Sequence, residues 1–333
     1  MERVKTRLSL TLAVGLVMAL WALTVPPVLA QYEKGKEEPV WAWSNEKLQN
    51  LVNKVRAGKD MTPKSWPGGA RVAVGLSFDV DTEPVWMGAM GLMSPGVLSR
   101  GEYGARVAVP RILALCDKYN ISASFFIPAV SALFHPEAVK KIIAKGRHEI
   151  GFHSWVHENV TSLNADQERE VTRKGMEFWK DFMGKVPVGI RTGAWDFTDS
   201  SAAILKEFGF IYDTSLMADD RPYMIMANGK ETGILELPVE WINDDWPLFQ
   251  INWAGHHVAA RNGDDVFKVW AGQFDKAYEE GTMFILTMHP QVIGHGYRII
   301  MLEKLIQYMR SKPGVWFATH EQIARYALEH GGK

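Results

Sequence analysis

The stretch Val72-Ala73-Val74-Gly75-Leu76-Ser77-Phe78-Asp79-Val80-Asp81 is a short apolar run that ends in two carboxylates. Residues 72–78 read as a buried β-strand, because the run is brief and β-branched residues recur in it. A regular alternation follows. Helical periodicity covers residues 105–119, 136–145, 164–184, 200–208, 264–280, 296–310 and 320–329. Short apolar runs at 122–127, 148–152, 188–191, 210–213, 234–238, 283–288 and 315–318 read as strands between them. Asn164, with Gln167 three residues on, has the spacing of a capping box, and Gly209 closes the 200–208 helix. Strand and helix in strict turn predict parallel β/α architecture.

An open doubly wound sheet and a barrel both show this alternation. The polar residues at strand ends separate them. Asp79 and Asp81 follow the first strand, His153 follows the third, and Arg191 and His289 each end another. In a β/α barrel all such C-terminal ends converge on one rim. The expected fold is therefore α/β, a distorted (β/α) barrel of about seven parallel strands. Its irregularity is expected at the long connections 80–104 and 218–231.

The chain has 333 residues. Arg3, Lys5 and Arg7 precede an apolar run from Leu8 to Val25, and Val28-Leu29-Ala30 offers a small-residue cleavage site. Residues 1–30 thus read as a secretory signal peptide, with an uncleaved anchor as the rival reading. Pro26 and Pro27 end the apolar helix before the cleavage site and favour removal. The polar, Pro-containing stretch 31–69 reads as an N-terminal arm or linker, and 70–333 as one catalytic domain. The protein is expected to be exported, periplasmic or secreted, touching a membrane only through its N-terminal segment. A net charge of −1 gives no field that attracts nucleic acid. Cys116 is the single cysteine, so no internal disulfide forms, and its place in a helical pattern makes it a buried structural thiol. Thirteen Trp supply core and stacking surfaces. Homo-oligomerisation is left open by the sequence.

Two constellations carry chemistry. His153 and His157, in Ile150-Gly151-Phe152-His153-Ser154-Trp155-Val156-His157, face one way if the segment is helical, close enough to share an ion. Asp79 and Asp81 point to the same side of an extended run. One can complete a metal set of two histidines and one aspartate, and the other can stay free to take a proton. Arg191, at a strand end, can hold a carboxylate ionised. His289, leaving an apolar strand, can protonate a leaving group. His295 reads as part of a loop, and His256 and His257 remain unassigned.

Taken in order, these residues resemble the polysaccharide deacetylase family, or NodB-homology domain of carbohydrate esterase family 4, over nearly the whole mature chain. Ser77-Phe78-Asp79-Val80-Asp81 is similar to that family's Thr-Phe-Asp-Asp-Gly motif. His153-Ser154-Trp155-Val156-His157 matches its His-Ser/Thr-x-x-His motif. Arg191-Thr192-Gly193-Ala194-Trp195 resembles Arg-x-Pro-x-Gly, and Leu286-Thr287-Met288-His289 resembles Leu-x-x-His. The aspartates here are separated by Val80, the motif glycine is absent, and proline is missing after Arg191. Those departures resemble the subgroup of peptidoglycan deacetylases and allantoinase-like cyclic-amide hydrolases. So do Tyr212-Asp213-Thr214-Ser215-Leu216 and the stretch from Glu240 to Pro247. The resemblance implies a NodB-type distorted barrel and one divalent metal, zinc or another transition ion, held by Asp81, His153 and His157. It implies Asp79 as general base, Arg191 as its positioner and His289 as general acid. The reaction implied is hydrolysis of a non-peptide amide, removal of an acetyl group from an N-acetylated sugar of cell-wall or extracellular glycan. Cyclic imide or ureide hydrolysis is the alternative, and a non-catalytic glycan-binding protein a second one. Arg100, Glu102, Trp195 and Trp246 are the candidate substrate contacts.

Overall fold

The computed structural model describes residues 38–249 and 261–332. The expected signal peptide, the start of the arm and the pair His256 and His257 lie outside the described residues. The chain divides into two compact units, 1–49 and 50–333. In the first, a 3-10 turn Val40–Ala42 precedes the start of a helix Asn45–Val52. Everything below concerns the second.

Among the described residues ten strands form one sheet. They are β1 (Val55–Asp60), β2 (Val72–Asp79), β3 (Ser124–Ile127), β4 (Glu149–Phe152), β5 (Gly189–Ile190), β6 (Tyr212–Asp213), β7 (Tyr223–Ala227), β8 (Lys230–Glu236), β9 (Met283–Met288) and β10 (Val315–Ala318). Parallel pairing runs β8-β6-β5-β4-β3-β2. β9 lies along residues 73–78 of β2, while β10 and β3 take residues 72–75 and 77–79 in succession. Asp244 makes an isolated parallel bridge to Thr287 of β9. The chain leaving β8 thus reaches the far side of the sheet, as a distorted barrel requires. All eight positions of β2 are buried, the pattern of a parallel strand covered on both faces.

Two features depart from the alternation. The 218–231 connection contains β7, which pairs antiparallel with β8 on one side and with β1 on the other. Residues 55–60, inside the stretch read as an arm, are therefore part of the sheet. The 80–104 connection is also structured: it holds a π-turn Val85–Ala89 and a helix Pro95–Tyr103, which runs through a second π-turn into the helix Val109–Tyr119. Elsewhere local chemistry acts as expected. Asn164 and Gln167 form a reciprocal capping box at the head of Ala165–Met183.

One core cluster packs Val72, Val74, Leu76 and Phe78 against the surrounding helices. A second joins Ala73, Phe126, Tyr212, Leu235 and Ile285 to Ile323, Ala324 and Ala327 of the last helix, His320–His330. Cys116 is buried in the first cluster, and burial pushes its thiol up to about 12, as befits an inert structural residue.

Candidate active site

Asp79 closes β2, and the Val80 N–H donates to Phe126 O of β3 at 2.8 Å. The run thus stays extended past the strand end. Its period of two sends Asp79 and Asp81 to the same side. Both are buried, at 1% and 0% exposure.

His153 follows β4. Its Nδ1 donates to Arg191 O at 2.6 Å, which leaves Nε2 as the ring's lone-pair nitrogen. That nitrogen lies 3.3 Å from Asp81 Oδ1. His157 is brought alongside with Nε2 3.8 Å from the same oxygen. The His pair is not helical. Ser154 and His157 have φ of 69° and 59°, so the segment is a loop of two sharp turns. Ring proximity, 4.9 Å between centroids and edge to face, comes from those turns rather than from a helix repeat. Thr82, Ala194 and Trp195 also have positive φ. These five residues belong to the loops around the carboxylates, the usual place for stored backbone strain.

Arg191 follows β5 and is fully buried. Its Nη1 donates to Asp79 Oδ1 at 2.7 Å and to Ser77 Oγ at 2.9 Å, and its Nε to Thr214 O at 3.2 Å. The guanidinium lies 4.3 Å from the Phe126 ring centroid. One oxygen of Asp79 is thereby occupied, and the other, Oδ2, faces His153 Nε2 at 3.8 Å and His289 Nε2 at 3.9 Å.

His289 follows β9. Its Nδ1 lies 2.7 Å from Asp245 Oδ1, and its backbone N–H donates to the same carboxylate. Asp244 Oδ1 is 3.5 Å from Nδ1. The sequence reading gave His289 no partner. Two adjacent aspartates in Trp241-Ile242-Asn243-Asp244-Asp245-Trp246 were the available signal, but nothing local ties them to a residue 44 positions on. Gln291 was missed as well. Its Nε2 donates to Asp81 Oδ2 at 3.3 Å.

Electrostatics separate the groups. Burial alone would raise the Asp81 carboxyl, but His157, His153 and His289 outweigh it and hold it down at about 2. Burial lowers the His157 imidazole to about 4. Burial also disfavours charge on His153, yet Asp79 and Asp81 pull it above its ordinary value. Against the same burial penalty, Asp244 and Asp245 raise His289 well above its ordinary value.

A cavity of about 120 Å³ opens over these groups. Trp195 and Trp246, named from the sequence, line it together with Trp241, Val85 and Met90. Trp195 stacks on Trp241 at 4.0 Å, and Trp246 meets His289 at 5.0 Å and Trp86 at 5.4 Å. Arg100 and Glu102 do not line it. Arg100 sits over Trp86, 4.5 Å from its centroid, and Glu102 is exposed, 3.5 Å from Arg106.

Asp81 Oδ1 and His153 Nε2 have no hydrogen-bond partner although both are buried. Two acceptors turned toward each other, both unsatisfied, are costly unless a cation or proton lies between them. One ligand atom from each of Asp81, His153 and His157 falls within 4.8 Å of the others. A carboxylate and two imidazoles are the donor set of a zinc-type site with open positions. The residues present therefore fit a divalent metal.

A barrel whose rim gathers these carboxylates, imidazoles and a buried arginine around an aromatic cleft belongs to a known class. The polysaccharide deacetylase family profile matches residues 101–212. The chain is 32% identical over 279 residues to a peptidoglycan deacetylase of Helicobacter pylori, covering 76% of this chain and 95% of that relative. The chain belongs to the polysaccharide deacetylase family. A solved structure from Mycobacterium smegmatis, assigned to the polysaccharide deacetylases, superposes with a TM-score of 0.75 at 32% identity, over 82% of this chain and 95% of that one. The PuuE allantoinase superposes with a TM-score of 0.67 at 27% identity, over 78% of this chain and 91% of that one. The family's reaction is de-N-acetylation, so the chain is placed among hydrolases that act on N-acetylated sugars.

Proposed function

We propose that the protein removes the acetyl group from an N-acetylated sugar of cell-wall or extracellular glycan, with a single divalent metal held by Asp81, His153 and His157. The observation that carries this reading is the unsatisfied pair Asp81 Oδ1 and His153 Nε2, set 3.3 Å apart in a buried site. Zinc or a similar ion bound there supplies Lewis acidity, which polarises the amide carbonyl and acidifies a water. The protein's own groups do the rest. Arg191 fills Asp79 Oδ1 and leaves Oδ2 as the base that takes a proton from the attacking water. His289 Nε2 gives its proton to the departing amine nitrogen. Asp245 holds Nδ1 and stabilises the charged ring while it waits. Trp195 and Trp241 offer a flat apolar wall on which a sugar ring stacks. The barrel rim excludes water from the carboxylates, which strengthens each of these interactions.

A second reading is hydrolysis of a cyclic imide or ureide by the same groups. The likeness to the PuuE allantoinase and the small, apolar cleft favour it. The apolar N-terminal segment supports an exported protein and hence the glycan reading. Among the described residues no helix is long and apolar enough to cross a membrane. The separating experiment offers the metal-loaded protein N-acetylglucosamine oligomers and small cyclic imides. Acetate release from the oligomers is the expected result. Ring opening without acetate release would move the substrate to the cyclic amides.

A further inference from the structure

His320 is fully buried and has no part in the mechanism above. It follows β10 and opens the last helix, where a capping box between Thr319 and Gln322 fixes the first turn. Gly75 of β2 leaves room for the ring, since a Cβ there would lie 3.1 Å from His320 Cε1. Ser124 of β3 and Glu149 of β4 stand in register with Ser77, two residues before Asp79 on β2. The period of two sends Ser77 and Asp79 to one face. These polar side chains therefore form a layer beneath the carboxylates of the site.

Donors and acceptors in this layer pair off from Arg191 outward. A guanidinium is a fork of N–H donors with no acceptor. Its Nε meets Thr214 O, and Nη1 meets Ser77 Oγ and Asp79 Oδ1. Nη2 meets Thr214 Oγ1 and His320 Nε2, each at 3.4 Å. His320 Nε2 is then the bare nitrogen, because a proton on it would face another donor. Burial, and then the Arg191 charge, push the imidazole well below its ordinary value. The ring is neutral, with its single proton on Nδ1. That proton is donated to Ser124 Oγ at 3.1 Å. Ser124 Oγ also accepts the His320 N–H at 2.8 Å, which leaves the hydroxyl proton for Glu149 Oε2 at 2.6 Å. Tyr212 donates to the other oxygen of Glu149. Donation thus runs one way, from Arg191 to His320 to Ser124 to Glu149. Phe126 packs against both cationic and neutral partner, 4.3 Å from the guanidinium and 5.4 Å from the imidazole.

We propose that His320 is a positioning residue of the hydrolysis: its bare Nε2 fixes Arg191, and Arg191 in turn holds Asp79 Oδ1 so that Oδ2 stays turned to the reacting water. The inference rests on the reading of Asp79 as the base. Without the Nε2 acceptor a buried N–H of Arg191 is left unpaired, a cost the guanidinium relieves by turning. Turning lengthens its bond to Asp79, and the carboxylate leaves its place. The metal ligands are not disturbed in the same way, because His153 bonds Arg191 through the backbone O alone.

The test compares two amide variants. In His320→Gln the amide oxygen reaches the place of Nε2, whereas in His320→Asn the side chain still donates to Ser124 but is too short for Arg191. Acetate release from N-acetylglucosamine oligomers is followed with the zinc-loaded proteins. For His320→Asn, kcat is expected to fall roughly 10–100-fold with KM and bound zinc unchanged, the scale of a small misplacement of a catalytic group. His320→Gln is expected to recover most of that loss. A merely structural role would lower both variants alike and would show in their unfolding midpoints. The wild type supplies a measurement that needs no variant. Nitrogen-15 NMR of the histidine-labelled, zinc-loaded protein is expected to show His320 neutral, with its proton on Nδ1. A proton on Nε2, a charged ring, or equal kcat in His320→Asn and His320→Gln would overturn the inference while leaving the deacetylase reading in place. A wild type that releases no acetate at any zinc content would remove that reading and this role with it.

Discussion

At the scale of the residue, the two aspartates have different surroundings and should behave differently. Asp79 is tied by Arg191, whereas Asp81 faces two imidazoles with an oxygen unsatisfied. Asp81→Ala is expected to abolish tight metal binding. Asp79→Asn is expected to keep the metal and lose roughly 10²–10⁴-fold in kcat, the usual worth of a positioned base. Metal analysis of both purified variants checks this, and equal metal loss in both would show the division of roles to be mistaken. Asp245 bonds both the ring and the backbone N–H of His289, so in the proposed mechanism it is a positioning residue. Asp245→Asn removes one of the two carboxylate charges that raise the imidazole, leaving Asp244, so the His289 proton is held less tightly. The alkaline limb of the kcat profile should move to lower pH with KM little changed. A profile that keeps its shape and falls uniformly would point to a merely structural role. The residue types of the site were legible in the sequence because strand-end carboxylates and imidazoles are conspicuous beside apolar runs. The pairing of His289 with Asp245 was not, because it depends on Asp244 bridging to Thr287 across the sheet, a long-range event that leaves no local trace.

At the scale of the element, the loops carry the geometry and the strands only aim it. The helix-like spacing of His153 and His157 singled out two rings that do lie together, 4.9 Å apart, but through the wrong local structure. An i, i+4 repeat and a double turn both bring two rings together, and periodicity cannot distinguish them over five residues. The Val85–Ala89 π-turn backs that loop. A Cβ on Gly88 would sit 2.0 Å from Val156 O, against backbone that cannot rotate aside. Gly88→Ala should therefore push the His157 turn outward. The expected result is at least tenfold weaker metal binding together with a stability loss of about 1–3 kcal/mol from the overpacking, read by metal titration and denaturant unfolding. Unaltered metal affinity would mean that the π-turn does not set the position of His157. Gly189 plays a comparable part in β5, since a Cβ there would meet the Tyr212 ring at 1.9 Å. That ring donates to Glu149 at 2.6 Å, and the bond belongs to the polar floor beneath Arg191. Gly189→Ala should destabilise the fold by about 1–3 kcal/mol, the cost of overpacking a rigid core, measured by denaturant unfolding. The antiparallel pair β1 and β7 was hidden because Val55-Arg56-Ala57-Gly58-Lys59-Asp60 is half charged and almost wholly exposed. It reads as a tail until its partner strand is known.

At the scale of the whole molecule, parallel strand order explains why residues from 79 to 289 meet at one rim, and strand-end placement made that much of the fold readable. Acid sensitivity is a property of the whole fold as well. Burial, helped by Arg147, lowers the His148 imidazole to about 4. Its Nδ1 accepts the Ala123 N–H at 3.2 Å, a role only the neutral ring can fill. The unfolded ring titrates near 6.5, so the unfolded state takes up protons first. The stability contributed by the neutral ring is complete above about pH 6.5 and is lost progressively as the pH falls to about 4. His148→Gln keeps an acceptor and removes the titration, so its stability should vary less across that window than the wild type's. Parallel stability curves for the two proteins would contradict the assignment.

The central claim is that Asp81, His153 and His157 hold one metal on which hydrolysis depends. Its most direct test is titration of divalent zinc into metal-free protein while acetate release from N-acetylglucosamine oligomers is followed. The account predicts no release without metal, a linear rise, and a plateau at one ion per chain. Full release from the metal-free protein, or none at any metal content, would contradict it.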